Sequence, residues 1–171
     1  MRTDKFTKKT THFIETGSHK GDGIELALQS GFEVIYSIEL DLNYFKLCNE
    51  KFKNNPNVHI ILGDSYYELE KLISFYKDTP FTYWLDGHYC GEGSGFGVKE
   101  TPLMKELEVI LTRKNIKDEL IYVDDMRLYR NFDNEVNISN IEQLIKKWKP
   151  DCKTWYEPTI HDSSDILCIE Y

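Results

Sequence analysis

The chain has 171 residues, 40 % hydrophobic and 29 % charged, a balance that suits one soluble domain with a core of useful size. No apolar run nears the ~20 residues that cross a bilayer, and the opening Met1-Arg2-Thr3-Asp4-Lys5 is too polar for a signal segment, so membrane attachment is set aside and the cytoplasm is the expected location. A net charge of −8 repels phosphate backbones and argues against nucleic acid as a partner; Lys8-Lys9 and Lys146-Lys147-Trp148-Lys149 are too short to reverse this, and the second closes a helix, where cations meet the dipole.

Strands and helices alternate along the chain, with no internal repeat. Residues 12–15 read as a short strand. Residues 22–30 read as a helix carrying Ile24, Leu26, Ala27 and Leu28, ended by Gly31. The β-branched run 33–38 is a second strand. A helix over 43–54 closes at Asn54-Asn55-Pro56 and leads to a third strand, 58–62. A helix over 65–76, with Leu69, Leu72 and Ile73 on one face, precedes the strand 81–85. After the glycine-rich stretch 91–97, Pro102 opens a helix to about residue 113, as proline suits a first turn. A fifth strand covers 120–123, a polar loop follows, and a helix over 138–148 stops at Pro150. The tail pairs two strands, 153–157 and 166–170, through polar residues 161–165 as a hairpin. The four cysteines, Cys48, Cys90, Cys152 and Cys168, lack zinc-site spacing, and Cys48 and Cys168 fall at core positions. Such alternation implies a mostly parallel sheet covered on both faces, with one terminal strand antiparallel and ligands at the carboxyl ends of the strands.

Three strand ends carry binding signals. The first runs into Glu15-Thr16-Gly17-Ser18-His19-Lys20-Gly21-Asp22-Gly23, where glycines admit a ligand to the backbone and to a helix N-terminus. Its G-x-x-x-G-x-G spacing differs from the G-x-G-x-x-G of dinucleotide enzymes, which puts a nicotinamide-dependent dehydrogenase last. The second strand ends at Glu39, a carboxylate able to accept both hydroxyls of a ribose, or simply a solvated acid. The third ends in Gly63-Asp64-Ser65; Ser65 is expected to cap the next helix, leaving Asp64 for an amino group of the ligand.

Together these blocks resemble those of class I S-adenosylmethionine (SAM)-dependent methyltransferases, over almost the whole chain. The resemblance implies a Rossmann-like α/β fold with a seven-stranded, mostly parallel sheet in one domain. It also implies SAM as cofactor, held by Glu15, Thr16, Gly17, Ser18, Gly21, Glu39, Gly63, Asp64, Ser65 and Asp86. More narrowly, Trp84-Leu85-Asp86-Gly87-His88-Tyr89, Thr101-Pro102-Leu103-Met104-Lys105-Glu106-Leu107-Glu108 and Val123-Asp124-Asp125-Met126-Arg127 are similar to blocks in small methyltransferase-like proteins of bacteria and large DNA viruses. If the source is viral, the location becomes the host cytoplasm.

Neighbouring fourth and fifth strands would bring Asp86, Asp124 and Asp125 together. Three carboxylates in one cleft repel unless a cation joins them, and such oxygen donors suit Mg²⁺, or Mn²⁺ or Ca²⁺; the competing reading is an acid that caps a turn. The arrangement is similar to metal-dependent O-methyltransferases of macrolide and related sugars. Where that family commonly has a further Asp after Asp-Gly, this chain has His88, a competent base near neutral pH, or else a structural histidine or a fourth neighbour of the metal. The expectation is therefore a methyltransferase acting on a hydroxyl of a sugar or glycan, with Asp86 and His88 as catalytic residues. Tyr89, Phe96 and the glycine-rich stretch suit a lid, or a plain surface loop; Arg127 and His161 are further candidates for the acceptor pocket. Two alternatives stand beside it: methylation of another small molecule, a catechol or an amine, and a non-catalytic SAM-binding protein. With no separate cap over the acceptor side in these residues, a homodimer that completes the pocket is expected.

Overall fold

The computed structural model describes residues 5–87, 97–99, 101–131 and 134–171. Strands β1 (His12–Thr16), β2 (Val34–Glu39) and β3 (Val58–Leu62) are joined through helices α1 (Asp22–Gln29) and α2 (Leu42–Phe52). Helix α3 (Ser65–Phe75) leads to β4 (Phe81–Leu85), α4 (Leu103–Leu111) to β5 (Leu120–Val123), and α5 (Ile138–Trp148) to the pair β6 (Lys153–Glu157) and β7 (Ile166–Glu170). The sheet order is β3-β2-β1-β4-β5-β7-β6. All strands run parallel except β7, which is antiparallel to both its neighbours.

Two apolar layers clamp this sheet. On one face Leu69 and Ile73 of α3, Leu107 and Ile110 of α4, and Ile141 and Ile145 of α5 pack on Ile14, Tyr83, Ile121 and Ile169. On the other, Ile24 and Ala27 of α1 and Cys48 and Phe52 of α2 cover Phe13 and Ile35. Over the β4–β5 half that face is closed by Phe6, whose ring meets Phe13, Trp84 and Tyr122 at 4.9–5.4 Å between centroids. The strands read as continuous apolar runs because both of their faces are buried.

Local chemistry sets the boundaries. Gly31, at φ +86°, turns the chain out of α1 while its N–H donates to Leu28 and that of Phe32 to Ala27, satisfying two terminal carbonyls. Asp41 caps α2 by accepting from the N–H groups of Asn43 and Tyr44. Pro102 stands just outside α4 rather than as its first residue. The expected polar loop after β5 contains a 3₁₀ turn, Met126–Tyr129, because Met126 and Tyr129, three apart, both bury their side chains.

At the amino ends of the strands a buried polar knot ties β4, β5 and α4 together. Glu119 is fully buried and pairs with Arg113, whose side chain is 7 % exposed. Glu119 also accepts from the hydroxyls of Tyr83 (2.8 Å) and Tyr171 (2.9 Å) and from the N–H of Phe81. Arg113 also donates to the Tyr83 hydroxyl (2.7 Å) and to the carbonyls of Tyr76, Lys77 and Thr79. Among the described residues, no helix is long and apolar enough to cross a membrane.

Candidate active site

Register decides what meets at the carboxyl ends. Thr16 of β1 pairs with Ile38 of β2 and with Leu85 of β4, so Gly17 lies between the ends of both strands. Gly17 N–H donates to Ile38 O at 2.9 Å, and a Cβ on Gly17 would stand 2.5 Å from Asp86 O. With φ +85°, Gly17 therefore meets two demands that only glycine satisfies: a left-handed backbone and a close approach.

Glu39, 6 % exposed, turns back over the loop. Its oxygens accept from His19 N (2.8 Å) and Asp41 N (2.8 Å). A carboxylate oxygen takes two donors, so each keeps an acceptor site for a ribose hydroxyl. Beneath the loop, Glu15 and Ser37 are direct register partners and share a face. Ser37 donates to Glu15 (2.5 Å) and also bonds the hydroxyl of buried Ser18 (2.6 Å). The Glu15 carboxyl rests against the backbone of Gly23, where a side chain would strike it. Burial pushes its pKa up to about 8, with Glu39 and Asp22 adding to the rise. Glu15 and Ser18 thus support the loop from below. Gly21, at φ +80°, precedes α1 and faces the Phe52 ring.

At the end of β3, Gly63 N–H donates to Glu39 O and Asp64 follows. Here the sequence reading is corrected: Asp64, not Ser65, caps α3, accepting from Tyr66 N at 2.9 Å, because its extended backbone places the carboxylate over the first turn. Its other oxygen accepts from Val98 N at 2.8 Å. Ser65 is the buried first residue of the helix and points at Gly87, together with Thr16 Oγ1 and Glu106 Oε1; the three lie 3.2–3.4 Å from the place a Cβ on Gly87 would take.

Leu85 pairs with Val123, and Asp124 N donates to Leu85 O at 3.0 Å, which sets Asp86 beside Asp124 just past the ends of adjacent strands. Among the described residues, the acids whose ligand atoms lie within 4.8 Å of one another are Asp124, Asp125 and Asp165. Asp165, from the β6–β7 connection, takes the third place expected for Asp86. These hard oxygen donors suit a divalent cation, with Arg127 as a competitor: its guanidinium bonds both Asp125 and Asp165 at 2.5 Å. Thr159 also donates to Asp165. Asp124 is 2 % exposed, and burial, then the charge of Asp125, raises its pKa. Arg127 is thus built into the acidic end of β5, whereas His161 is exposed in the hairpin. His88, Tyr89, Cys90 and Phe96 lie outside the described residues.

Sequence reasoning missed Asp165, Tyr129 and Glu106. Asp165 sits in a stretch that reads as a generic polar turn. Tyr129 is buried, its hydroxyl 3.3 Å from Thr101 Oγ1; burial raises its pKa, and Glu106, Asp86 and Asp125 push the same way. Beside it opens a groove of about 930 Å³, lined by Tyr66, Thr101, Met104, Leu128, Tyr129 and Leu144 among others, a size that holds a small organic ligand. Glu106 had a legible signal: an acid on the 103/106/107/110 stripe that faces the core.

No family model matches the chain, and no curated protein matches it. Solved structures do. A Streptococcus mutans protein in complex with S-adenosylhomocysteine (SAH) superposes with a TM-score of 0.61 at 15 % identity, covering 97 % of this chain and 88 % of that one. An O-methyltransferase from Bacillus cereus, also in complex with SAH, gives 0.66 at 11 % identity over 95 % and 75 %. An rRNA methylase from Streptococcus thermophilus gives 0.57 at 10 % over 95 % and 87 %. The chain therefore has the Rossmann-like fold of class I methyltransferases, with its antiparallel seventh strand inside the sheet.

Proposed function

We propose that this chain is a SAM-dependent O-methyltransferase acting on a hydroxyl of a sugar or glycan. The observation that carries the reading is the meeting of Gly17 and Asp86 at 2.5 Å from a hypothetical Cβ, with Glu39 on one side and the Asp124–Asp125 end of β5 on the other. This joins a nucleoside-type cradle to an acidic chamber across one backbone contact. The SAH-bound neighbours support the cofactor, and the net charge of −8 favours a neutral acceptor over nucleic acid.

In this reading the loop from Gly17 to Gly21 receives the methionine part of the cofactor and Glu39 accepts the ribose hydroxyls. Bound SAM supplies the methyl group. Asp86 and His88 are the catalytic residues in this reading, and His88 takes the proton of the acceptor hydroxyl as its oxygen attacks. Asp124, Asp125 and Asp165 would hold Mg²⁺, which when bound lowers the pKa of a hydroxyl. Tyr66, half-buried on the groove wall, offers its ring to a sugar face. Much of the acceleration comes from holding two substrates in line.

The test is calorimetric titration with SAM, followed by transfer of labelled methyl groups to a panel of sugars with Mg²⁺ and with EDTA. Saturable binding near one site per chain and labelled sugar are expected. Absence of SAM binding refutes the cofactor; equal turnover in EDTA refutes the metal; label only on catechols or amines refutes the acceptor class.

A further inference from the structure

Met104, Leu128, Val136 and Leu144 give the groove an apolar wall, and Thr101 and Tyr129 line it with them. Thr101 lies two residues before α4, and Tyr129 closes the 3₁₀ turn in which Leu128 N donates to Asp125 O at 2.9 Å. The two side chains therefore meet one turn away from the acidic end of β5. Tyr129 is 6 % exposed, and its hydroxyl lies 3.3 Å from Thr101 Oγ1, which also accepts from Leu103 N at 3.4 Å. No other hydrogen bond among the described residues reaches either oxygen. Burial raises the Tyr129 pKa, so the phenol keeps its proton near neutral pH. Two hydroxyls thus bring two protons to one shared contact. Whichever of them donates across it, the other proton is left over, together with a lone pair. A spare donor and acceptor on a groove wall are the polar groups by which a site fixes a ligand's orientation.

We infer that Thr101 and Tyr129 form a specificity pair that holds a second hydroxyl of the acceptor ring, beside the one that is methylated. The inference rests on the sugar reading above and narrows it to polyhydroxylated rings. A sugar ring is apolar on its C–H faces and polar at its rim. The apolar wall suits a face, and the spare proton and lone pair suit the rim, where a hydroxyl both accepts and donates. An acceptor with a single hydroxyl commits that group to the reaction and brings the pair no partner. The left-over proton then stays buried without an acceptor, which is how a polar site rejects an analogue that lacks one hydroxyl.

Labelled methyl transfer from SAM to the methyl glycosides of glucose, galactose and mannose gives the best acceptor, and mapping the product gives the methylated position. Analogues of that glycoside lacking one of the other ring hydroxyls are then compared with it, as ratios of kcat/KM, in wild type, Tyr129→Phe, Thr101→Val and the double variant. One analogue is expected to lose ~10-fold or more in wild type and to come within about twofold of its parent in the double variant, with the single variants between. Thr101→Ser keeps the oxygen and the wild-type ratio, and Tyr156→Phe, an exposed tyrosine on β6, is the control. SAM affinity stays within about twofold of wild type throughout, since the pair serves the acceptor. The single variants carry the comparison if the double one folds poorly. A wild type indifferent to every deletion overturns the inference. So do variants that slow all glycosides alike, which is what a purely structural role gives. If wild type methylates none of the glycosides, the sugar reading itself falls, and this inference with it.

Discussion

Gly17 and Gly31 share nearly the same backbone, φ +85° and +86°, but not the same surroundings. A Cβ on Gly31 would meet nothing nearer than Lys8 Cδ at 3.9 Å. Gly31→Ala therefore costs only the left-handed backbone term, ~1–2 kcal/mol, or ~3–6 °C in Tm for a domain of this size. A Cβ on Gly17 would stand 2.5 Å from Asp86 O and 3.1 Å from Asp86 C, both backbone atoms. Restoring a normal separation moves the end of β4 by ~1 Å, adding ~1–3 kcal/mol of overpacking. Gly17→Ala is thus expected to lose ~2–5 kcal/mol, with Tm down by ~6–15 °C. Because the shift falls between the cofactor loop and Asp86, SAM affinity should drop by ~30-fold or more, whereas Gly31→Ala binds as wild type does. Thermal melts and calorimetric titrations read both effects. If Gly17→Ala melts within about 2 °C of Gly31→Ala and binds SAM normally, the proposed contact is not where the cofactor sits.

Three further outcomes are expected. Glu15 keeps its proton to about pH 8 when folded but only to about 4.5 in its ordinary state, so the folded chain holds the extra proton between those values and stability falls as pH rises through that window. Glu15→Gln should flatten the slope, up to ~1.4 kcal/mol per pH unit, in melts taken at pH 5 and 8; an unchanged slope assigns it to other groups. Arg113→Met strands the buried Glu119 charge and should cost ~3–5 kcal/mol in urea unfolding, part of it recovered by adding Glu119→Gln; a loss below ~1 kcal/mol contradicts the knot's role. Arg127→Met removes the cation between Asp125 and Asp165 and should tighten Mg²⁺ binding by ~10-fold, read by calorimetry. Equal Mg²⁺ affinity in both proteins means that ion and guanidinium do not share the site.

The fold was legible because its signals are local. Gly31, Pro56, Pro102 and Pro150 punctuate the chain, and doubly buried strands read as apolar runs. The 3₁₀ turn at Met126 was missed because two buried residues three apart leave no periodic trace. The meeting of Gly17, Glu39 and Gly63 followed from strand ends alone, since parallel register brings the ends of β1, β2 and β3 to one edge of the sheet. The split of roles between Asp64 and Ser65 did not: both are good caps, and backbone angles decide between them. Asp165 and Arg127 meet only because β7 runs antiparallel beside β5, a pairing that spacing in sequence does not encode.

The place of β7 also orders the protein's birth. Strands β1 to β5 leave the ribosome first, but β5 has an open edge until Ile166–Glu170 arrives to fill the gap between β5 and β6. A nascent chain can assemble the β1–β2–β3 cradle early, while Asp124 and Asp125 still wait for Asp165, some forty residues further on. During synthesis the growing chain therefore carries an unfinished acidic chamber and an exposed sheet edge, the kind of surface on which nascent chains pair wrongly with one another.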